Sequence, residues 1–557
     1  MSLDVLIVGA GPTGLLLAAQ LARFGIKVRL VDQKPQPDHQ SRAISVFART
    51  LEIFDKLGVA EEMIKRGRQL QGINLYTDGK RIAHVSLDNI DSFFPFVLSL
   101  PQSETEKILT QLVESLGVKI ERDVTFTALE QDNDSVTATL WHPDGEEEHC
   151  PCAWLVGCDG ARSAVRKAAS LVDKSNNIPA LFLLADAKTH WQLEKNEFHV
   201  FFSSKGELAA FPLPQDNYWR VILDFPADTE APSNPDVKFF EQQSRERTHL
   251  QASFNQPEWI SSFRVRQRIV NKCRTGRVFV AGDALASHSP VGGQGMNTGL
   301  QDAYNLAWKL ALVIQNQAST DLLHSYQAER EPISKSLLTF TELATRGVIL
   351  SNPIIKQIRS YLASFLTSFG SVQQFIANTL SELNINYAHS PIVGEDKNFS
   401  LTSLIDSLRF RYGLKAGERA PDVMIETVNA SKRLYQVLSD LKHNLLLFGG
   451  LDTKKENYTR FIQIAKEIEE QYPYIKVHLI LWESQIPDIL DWHQLILLDP
   501  KGKCHQRYRA FSECLYLIRP DFYIGYRYQG TDVSKLIMHL QKINFFSISN
   551  KTIPLEV

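Results

Sequence analysis

Three glycines spaced to cradle a phosphate open the chain, in Gly9-Ala10-Gly11-Pro12-Thr13-Gly14, and an acidic residue, Asp32, follows eighteen positions after the last of them. This is the chemistry of dinucleotide recognition. Gly9 allows a tight turn, Gly11 lets the backbone approach a pyrophosphate, and Gly14 lets a helix pack closely on a strand. The helix N-terminus then offers free N–H groups and a partial positive charge to the phosphates, while Asp32 can accept hydrogen bonds from a pair of ribose hydroxyls. The elements that must position these groups are legible around them. Asp4–Val8 reads as a short buried strand, Leu15–Phe24 as an apolar helix stopped by Gly25, and Ile26–Val31 as a second strand ending at Asp32. A lone G-x-G-x-x-G is weak evidence, and this strand–helix–strand context is what strengthens it. By itself the unit does not separate a flavin dinucleotide from a nicotinamide one.

Two further stretches bear on that choice. Leu155-Val156-Gly157-Cys158-Asp159-Gly160-Ala161-Arg162-Ser163 is a strand running into a turn, with Arg166 one helical turn after Arg162. Gly276-Arg277-Val278-Phe279-Val280-Ala281-Gly282-Asp283 is a strand ending on an Asp. It continues to Pro290-Val291-Gly292-Gly293-Gln294-Gly295-Met296-Asn297 and a helical run, Gly299–Val313, carrying Asp302, Asn305 and Trp308. In this order and spacing the three blocks resemble the class A flavoprotein monooxygenases, the group of para-hydroxybenzoate hydroxylase and phenol hydroxylase. Further blocks agree: Ser41-Arg42-Ala43 with Arg49-Thr50-Leu51-Glu52, Leu100-Pro101-Gln102 with Glu104, Glu106 and Leu109, and Phe263-Arg264-Val265 with Arg268. The resemblance covers about the first 340 residues. It departs from the family pattern after Gly282-Asp283-Ala284, where Leu285-Ala286 and Ser289 replace the usual Ala-His and the first Pro of a Pro-Pro pair.

The resemblance implies roles for individual residues. Gly9, Gly11, Pro12, Thr13 and Gly14 would hold the FAD pyrophosphate, and Asp32 with Gln33 the adenosine ribose. Arg42 and Gln102 would contact the phosphate and ribityl parts. Asp159 and Gly160 would anchor the second motif, which in the family serves both FAD and the passing nicotinamide. Gly282 and Asp283 would bind the ribityl chain. Pro290, Gly292, Gly293, Gln294, Gly295, Met296 and Asn297 would place backbone N–H groups at the flavin's pyrimidine edge, where a helix N-terminus stabilises the negative charge of reduced flavin. The implied enzyme is an FAD-dependent monooxygenase that consumes NADPH or NADH and O2 and hydroxylates an aromatic or polycyclic phenolic substrate through a flavin C4a-hydroperoxide. Only one G-x-G-x-x-G unit is present and no C-x-x-C, which argues for transient docking of the nicotinamide rather than a dedicated domain. Because the flavin carries the hard step, no catalytic side chain beyond it is assigned. His288 and Pro290 are candidates, a structural loop histidine being the other reading of His288. Within enzymes, an antibiotic- or polyketide-modifying monooxygenase acting on a less simple phenol is the alternative. From another class, the alternative is a flavin-holding binding protein with little turnover.

The substrate wall is expected in residues 171–274. Strands are predicted at Leu181–Ala185, Glu197–Phe202, Leu208–Leu213 and Tyr218–Phe225, with the alternation of an antiparallel sheet. Phe198, Phe202, Phe211 and Trp219 are candidates for stacking on the substrate, and each can equally be sheet-core packing. Arg220 is a candidate partner for an acidic substrate or else a surface residue.

At 557 residues the chain holds roughly three or four domains. The expected fold is α/β: a Rossmann-type FAD-binding domain (residues 1–170 and 275–344), an antiparallel-sheet substrate domain (171–274), a helical bridge (345–400) and a C-terminal thioredoxin-like domain (401–557). The tail reads as strand Leu445–Phe448, helix Tyr458–Gln471, strand Val477–Trp482, strands Leu495–Leu498 and Leu515–Tyr526, and helix Thr531–Ile543. Its order resembles the thioredoxin-like domain of the phenol hydroxylase branch, yet Gly449-Gly450-Leu451-Asp452 stands where a redox motif would, and Cys504 and Cys514 do not replace it. This domain is expected to be structural or oligomeric, which makes a homodimer plausible. Composition is ordinary for a globular protein, 44% hydrophobic and 22% charged with formal net charge −3, and points to no nucleic acid. No apolar run approaches the ~20 residues of a membrane helix. No signal sequence precedes the first strand, so a cytoplasmic location is expected. Cys150-x-Cys152 lacks a matching second pair, so no metal is expected.

Overall fold

The apolar pentad that follows Asp4 has no polar face, so it can only sit in the middle of a sheet. In the computed structural model Leu3–Val8 is central, and Val5, Leu6 and Ile7 are inaccessible to solvent. The structure describes residues 3–38, 43–226, 232, 235–287, 293–349, 370–396, 404–451, 453, 455–487, 490 and 496–546. The chain divides into two compact units, one of residues 1–22, 27–303 and 331–383, the other of 23–26, 304–330 and 384–557.

The first unit contains two large sheets. In one, parallel strands run in the order Ile120–Arg122, Val28–Asp32, Leu3–Val8, Glu147–Gly157 and Val278–Val280, with an antiparallel flap of Thr125–Gln131 and Val136–Trp141 on the outer part of Glu147–Gly157. The expected first helix is present as Pro12–Arg23. The expected second strand shifts to Val28–Asp32, which brings Asp32 itself into the sheet.

The second sheet contains the predicted substrate strands, lengthened and joined by others. Its order is Ala286–Ser287, Ser253–Val270, Asp173–His190, Tyr218–Pro226, Gly206–Pro212, Glu197–Ser203, Gly72–Thr77 and Lys80–Ser86. The expectation that residues 171–274 alone build it needs correction. Gly72–Thr77 adds parallel to Glu197–Ser203 and brings Lys80–Ser86 with it. A parallel junction between distant segments leaves no short-range turn signal in the sequence. One face of this sheet is covered by helix Val237–Thr248, capped by Asp236 on the Phe239 N–H at 2.9 Å. Phe240 enters a fully buried cluster with Leu183, Phe201, Trp219, Val221 and Leu223.

In the second unit the sheet order is Gly394–Asp396, Ile524–Tyr528, Cys514–Ile518, His443–Phe448, Ile475–Leu481, Ile496–Leu498, Met424–Glu426 and Ser431–Arg433. The single strand expected over Leu515–Tyr526 is a hairpin, because Arg519-Pro520-Asp521-Phe522 makes a turn with Phe522 at φ 59° and its N–H bonded to the Arg519 carbonyl. Of the expected helical bridge, helices run to Ile349 and from Gly370 to Leu380, and residues 350–369 and 397–400 lie outside the described residues. Asp452 and Leu495 also lie outside them. All six cysteines are buried and unbridged, and the described residues contain no group of three or more metal-ligating side chains. No described helix is long and apolar enough to cross a membrane.

The interior of the second unit is unusually polar. Glu329, inaccessible to solvent, takes Lys309 Nζ at 2.7 Å and Arg519 on both oxygens at 2.6 and 2.8 Å. Arg519 also grips Asp521, which accepts from Trp308 Nε1 at 3.1 Å. Two cations, Lys309 and Arg519, face two anions, Glu329 and Asp521. The paired cations hold the Glu329 carboxyl well below the usual carboxylate range, overriding the opposing effect of its burial, whereas burial pulls Lys309 down to about 8. Removing one anion strands a buried cation, so Glu329→Gln is expected to lower unfolding stability by about 3–5 kcal/mol; urea denaturation at neutral pH measures it, and a change under 1 kcal/mol would contradict the account.

Three buried histidines of the same unit give a pH dependence. Burial depresses His443 and His478 to about 3 and His539 to about 4. Above the unfolded value near 6.5 neither state is protonated and their contribution is fully present. As pH falls below 6.5 only the unfolded chain takes up protons, and stability is lost down towards the folded values. Each group removes up to about 1.4 kcal/mol per pH unit. Unfolding free energies from urea denaturation are expected to be nearly flat from pH 8 to 7 and to drop by about 3–4 kcal/mol between pH 6 and pH 5; an unchanged free energy over that last interval would refute it.

Candidate active site

The C-terminal ends of the parallel strands come together because the sequence removes side chains where backbones meet. Gly9 turns at φ 105°, and a Cβ there would lie 2.4 Å from the Cys158 carbonyl oxygen. A Cβ at Gly14 would lie 1.9 Å from the Gly9 carbonyl oxygen. Gly11 is different, since a Cβ there would meet nothing within 4 Å. The turn is therefore packed on its inner side and open at Gly11, beside the N-terminus of helix Pro12–Arg23. That is the space and the donor set a pyrophosphate requires, so the residues fit FAD at this end. Pro12 is the first helical residue, where a missing N–H costs nothing.

Asp32 ends the second strand with its carboxylate over this turn. It accepts from the Ala10 N–H at 2.6 Å and the Lys34 N–H at 2.8 Å, and Arg122 stands 3.8 Å away. Each carboxylate oxygen keeps a further acceptor position for a hydroxyl. Gln33 beside it is exposed.

Asp159 closes the second motif by accepting from the Ala164 and Val165 N–H groups at 2.7 and 3.1 Å, at the start of helix Ala164–Ala168. Gly160 turns at φ 78°. Arg166, buried, joins this motif to the third, donating to the Ala161 carbonyl at 2.9 Å and the Ala284 carbonyl at 3.0 Å. In the third motif, Gly282 at φ 62° and Gly299 both press on Thr13, at 2.6 and 2.7 Å from its Oγ1 to the position of a Cβ. The Gly282 N–H is taken by Asp302 Oδ2 at 3.0 Å. Asp283, next along, is exposed, and Gly282, Gly295, Thr298 and Asp302 line a small cleft.

Helix Gly295–Ile314 begins at this cleft. Asn297, fully buried, donates to the Ser45 carbonyl at 2.8 Å and accepts the Phe47 N–H at 3.0 Å. Its side chain is thus an anchor for the Ala43–Phe47 segment, which leaves the backbone N–H groups of Gly293–Asn297 as what this helix end can offer a flavin. Gln294 reaches the Thr379 carbonyl at 3.5 Å. Thr298 Oγ1 donates to Glu382 at 3.2 Å, and Gln301 donates to the same carboxylate. Gln102 begins helix Gln102–Ser115, with its N–H on the Ala43 carbonyl at 3.1 Å and its amide on Glu106 at 2.8 Å; burial raises the Glu106 carboxyl above its usual range. Arg42, His288, Ser289, Pro290 and Gly292 lie outside the described residues.

The four residues nominated for substrate divide between the two faces of the sheet. Trp219 is corrected: it is 2% exposed, packed edge-on against Trp191 at 5.2 Å and inside the cluster beneath helix Val237–Thr248. Phe202, Phe211 and Arg220 point the other way. Phe211 stacks on Phe198 with centroids 5.3 Å apart and is paired in register with Arg220. Arg220 is neither a surface residue nor a free cation, because Asp186 holds it with two hydrogen bonds of 2.7 and 2.6 Å. Asp186, Asn297 as an anchor and Glu382 were missed. Asp186 had a signal, as a charge inside the otherwise apolar Leu181–Ala187 run; Glu382 had none.

With this geometry in place, comparison with known proteins is direct. A family described as FAD binding domain matches residues 2–341. The 6-methylpretetramide 4-monooxygenase of Streptomyces rimosus is 31% identical, over 97% of this chain and 93% of that protein. Pentachlorophenol 4-monooxygenase of Sphingobium chlorophenolicum is 28% identical, over 96% of this chain and 95% of its own. Among solved structures, the anhydrotetracycline hydroxylase OxyS of Streptomyces rimosus superposes with a TM-score of 0.71 at 27% identity, covering 98% of this chain and 99% of that one. The chain belongs to the FAD binding domain family and is an FAD-dependent aromatic monooxygenase of the class A flavoprotein type.

Proposed function

We propose that this monooxygenase hydroxylates a polycyclic phenol without a carboxylate, of the polyketide or antibiotic type, using NADPH or NADH as a transient reductant and O2 as the oxygen source. The observation that carries this reading is the commitment of Arg220 to Asp186 beside the Phe198–Phe211 stack. That sheet face offers ring surface, and the cation nominated for an acidic substrate is neutralised. Relatives named for 6-methylpretetramide and anhydrotetracycline, matched along nearly the whole chain, support the same substrate class.

FAD, when bound, accepts reducing equivalents from the nicotinamide and activates O2. The chain's own residues bind and orient. Gly9, Gly11 and Gly14 with the helix end at Pro12 hold the pyrophosphate, and Asp32 takes ribose hydroxyls. Asp159 and Asp283 sit along the path to the ribityl chain. The N–H groups of Gly293–Asn297 meet negative charge at the ring's pyrimidine edge. The aromatic face of the sheet excludes water from the reacting ring.

We assign residues 1–170 and 275–344 to FAD binding except for strands Gly72–Thr77, Lys80–Ser86 and Ala286–Ser287, which join 171–274 in the substrate sheet, 345–400 to a bridge and 401–557 to a thioredoxin-like domain without redox chemistry. The last assignment is supported by the strand order Ile524–Tyr528, Cys514–Ile518, His443–Phe448, Ile475–Leu481, with a helix between the third and fourth of these and antiparallel pairing of the first two. Gly449-Gly450-Leu451 follows the central strand without a cysteine.

Purified protein with FAD and NADPH in air is expected to show NADPH oxidation stimulated at least about tenfold more by anhydrotetracycline or a comparable fused-ring phenol than by 4-hydroxybenzoate, with a product one oxygen heavier. Stimulation by 4-hydroxybenzoate alone would overturn the substrate reading. The cradle itself is tested by two glycines. Gly11→Ala is expected to leave the melting temperature of the cofactor-free protein unchanged and to weaken FAD binding at least about tenfold. Gly14→Ala is expected to lower both, by about 1–3 kcal/mol of stability. Equal effects of the two substitutions on the cofactor-free protein would contradict the open space at Gly11.

A further inference from the structure

Strand Tyr218–Pro226 carries a buried guanidinium into the sheet face that holds the Phe198–Phe211 stack. Arg220 is 1% exposed, and Asp186 lies directly opposite it in the antiparallel register. The guanidinium gives Nε to Asp186 Oδ1 and Nη2 to Oδ2. Its remaining nitrogen, Nη1, reaches past the carboxylate to the Ala43 carbonyl at 3.4 Å, and its carbon stands 5.6 Å from the Trp259 ring centroid. A buried ion pair rarely stabilises a protein more than apolar residues of the same volume would, so its presence here calls for a positional reason.

The reason lies in the segment it touches. Ala43 also takes the Gln102 N–H, the Ile44 carbonyl takes the Leu100 N–H at 2.7 Å, and Asn297 holds Ser45 and Phe47 from the flavin-side helix. Ala43–Phe47 is thus fixed by Asn297 on one side and by Arg220 on the other. Arg suits this task better than Lys: its planar fork can satisfy a carboxylate with two N–H groups and still aim a third elsewhere, whereas an ammonium acts as a point charge.

We propose that Arg220, set by Asp186, is a positioning residue for the flavin ring: the pair fixes the Ala43–Phe47 segment against the substrate sheet and so determines where ring and substrate meet. The inference rests on FAD occupying the cleft beside Gly293–Asn297.

The test compares wild type, Arg220→Met, Arg220→Lys, Asp186→Asn and the double variant Asp186→Asn/Arg220→Met. Three readouts are taken: the FAD dissociation constant by flavin fluorescence, the visible absorbance bands of bound FAD, and the melting temperature of the cofactor-free protein. Arg220→Met and Asp186→Asn are each expected to weaken FAD binding about tenfold and to shift the flavin bands, with the double variant no worse than Arg220→Met. Arg220→Lys, which keeps the charge and loses the fork, is expected to retain the wild-type melting temperature with the flavin bands still shifted. Should Arg220→Met fail to fold, Arg220→Lys and Asp186→Asn decide alone. Wild-type bands and affinity in Arg220→Lys and Asp186→Asn would overturn the proposal, as would FAD affinities that fall only in step with melting temperature. Wild-type protein that binds no FAD would instead sink the cofactor reading on which it rests.

Discussion

The site depends on backbone meeting backbone around Thr13 and Cys158. Gly9, Gly14, Gly282 and Gly299 each stand where a single methyl group would overlap a neighbour by more than packing can absorb. Three segments far apart in sequence, 9–14, 157–160 and 281–283, share one crevice because glycines stand opposite the backbone of Gly9 and Cys158 and the side chains of Thr13 and Cys158. The parallel sheet makes this possible, since strands Leu3–Val8, Glu147–Gly157 and Val278–Val280 are neighbours and end on the same edge. Ligands of open α/β sheets bind at such an edge. At Gly11, unlike at Gly9 and Gly14, a Cβ would meet nothing within 4 Å, so the turn is open on that side.

Close backbone contact would leave polar groups stranded, and the surrounding side chains answer that. Asp302 takes the Gly282 N–H, Asp159 takes two N–H groups of its own turn, and Asp32 takes that of Ala10. Arg166 satisfies two carbonyls from different motifs. These bonds set geometry more than they add stability, because each replaces a bond to water at a net gain of about 1 kcal/mol. Their combined result is a cleft edged by helix ends and carboxylates, suited to a ligand that is anionic at its phosphates and rich in hydroxyls along its ribose and ribityl parts.

Much of this was legible in the sequence, and the failures have a common physical origin. Glycine spacing and strand ends are local, so the cradle at Gly9–Gly14 and the turns at Asp159 and Asp283 could be read directly. The substrate face is not local. Alternation reveals that a strand has two faces, but not which one meets a helix and which a cofactor. Trp219 and Arg220 are adjacent in a strand and so could not both face the substrate; the parity was readable, the choice was not. Helix Val237–Thr248 decides it, covering the Trp219 face. Strands Gly72–Thr77 and Lys80–Ser86 joined the sheet across more than a hundred residues, a pairing no turn residue announces. The hairpin at Arg519–Phe522 is different: it had a local signal, since Pro520 and Asp521 are turn residues between the two strands.

The same division of labour explains the second unit. The central strands of its sheet are buried on both faces, and apolar contacts alone would let such strands slide against one another with little change in buried area. Glu329 removes that freedom. It accepts from Lys309, Arg519, Asn305 and Ser390, and only one arrangement of the elements bearing those residues satisfies every partner. Any slipped packing would bury an unpaired charge at a cost of several kcal/mol. Apolar burial therefore holds the unit together while the buried charges select which of the possible packings is native. Arg220 and Asp186 stand in the same relation to the substrate sheet: a pair that adds little net stability, placed where it ties strand Tyr218–Pro226 to the Ala43 carbonyl.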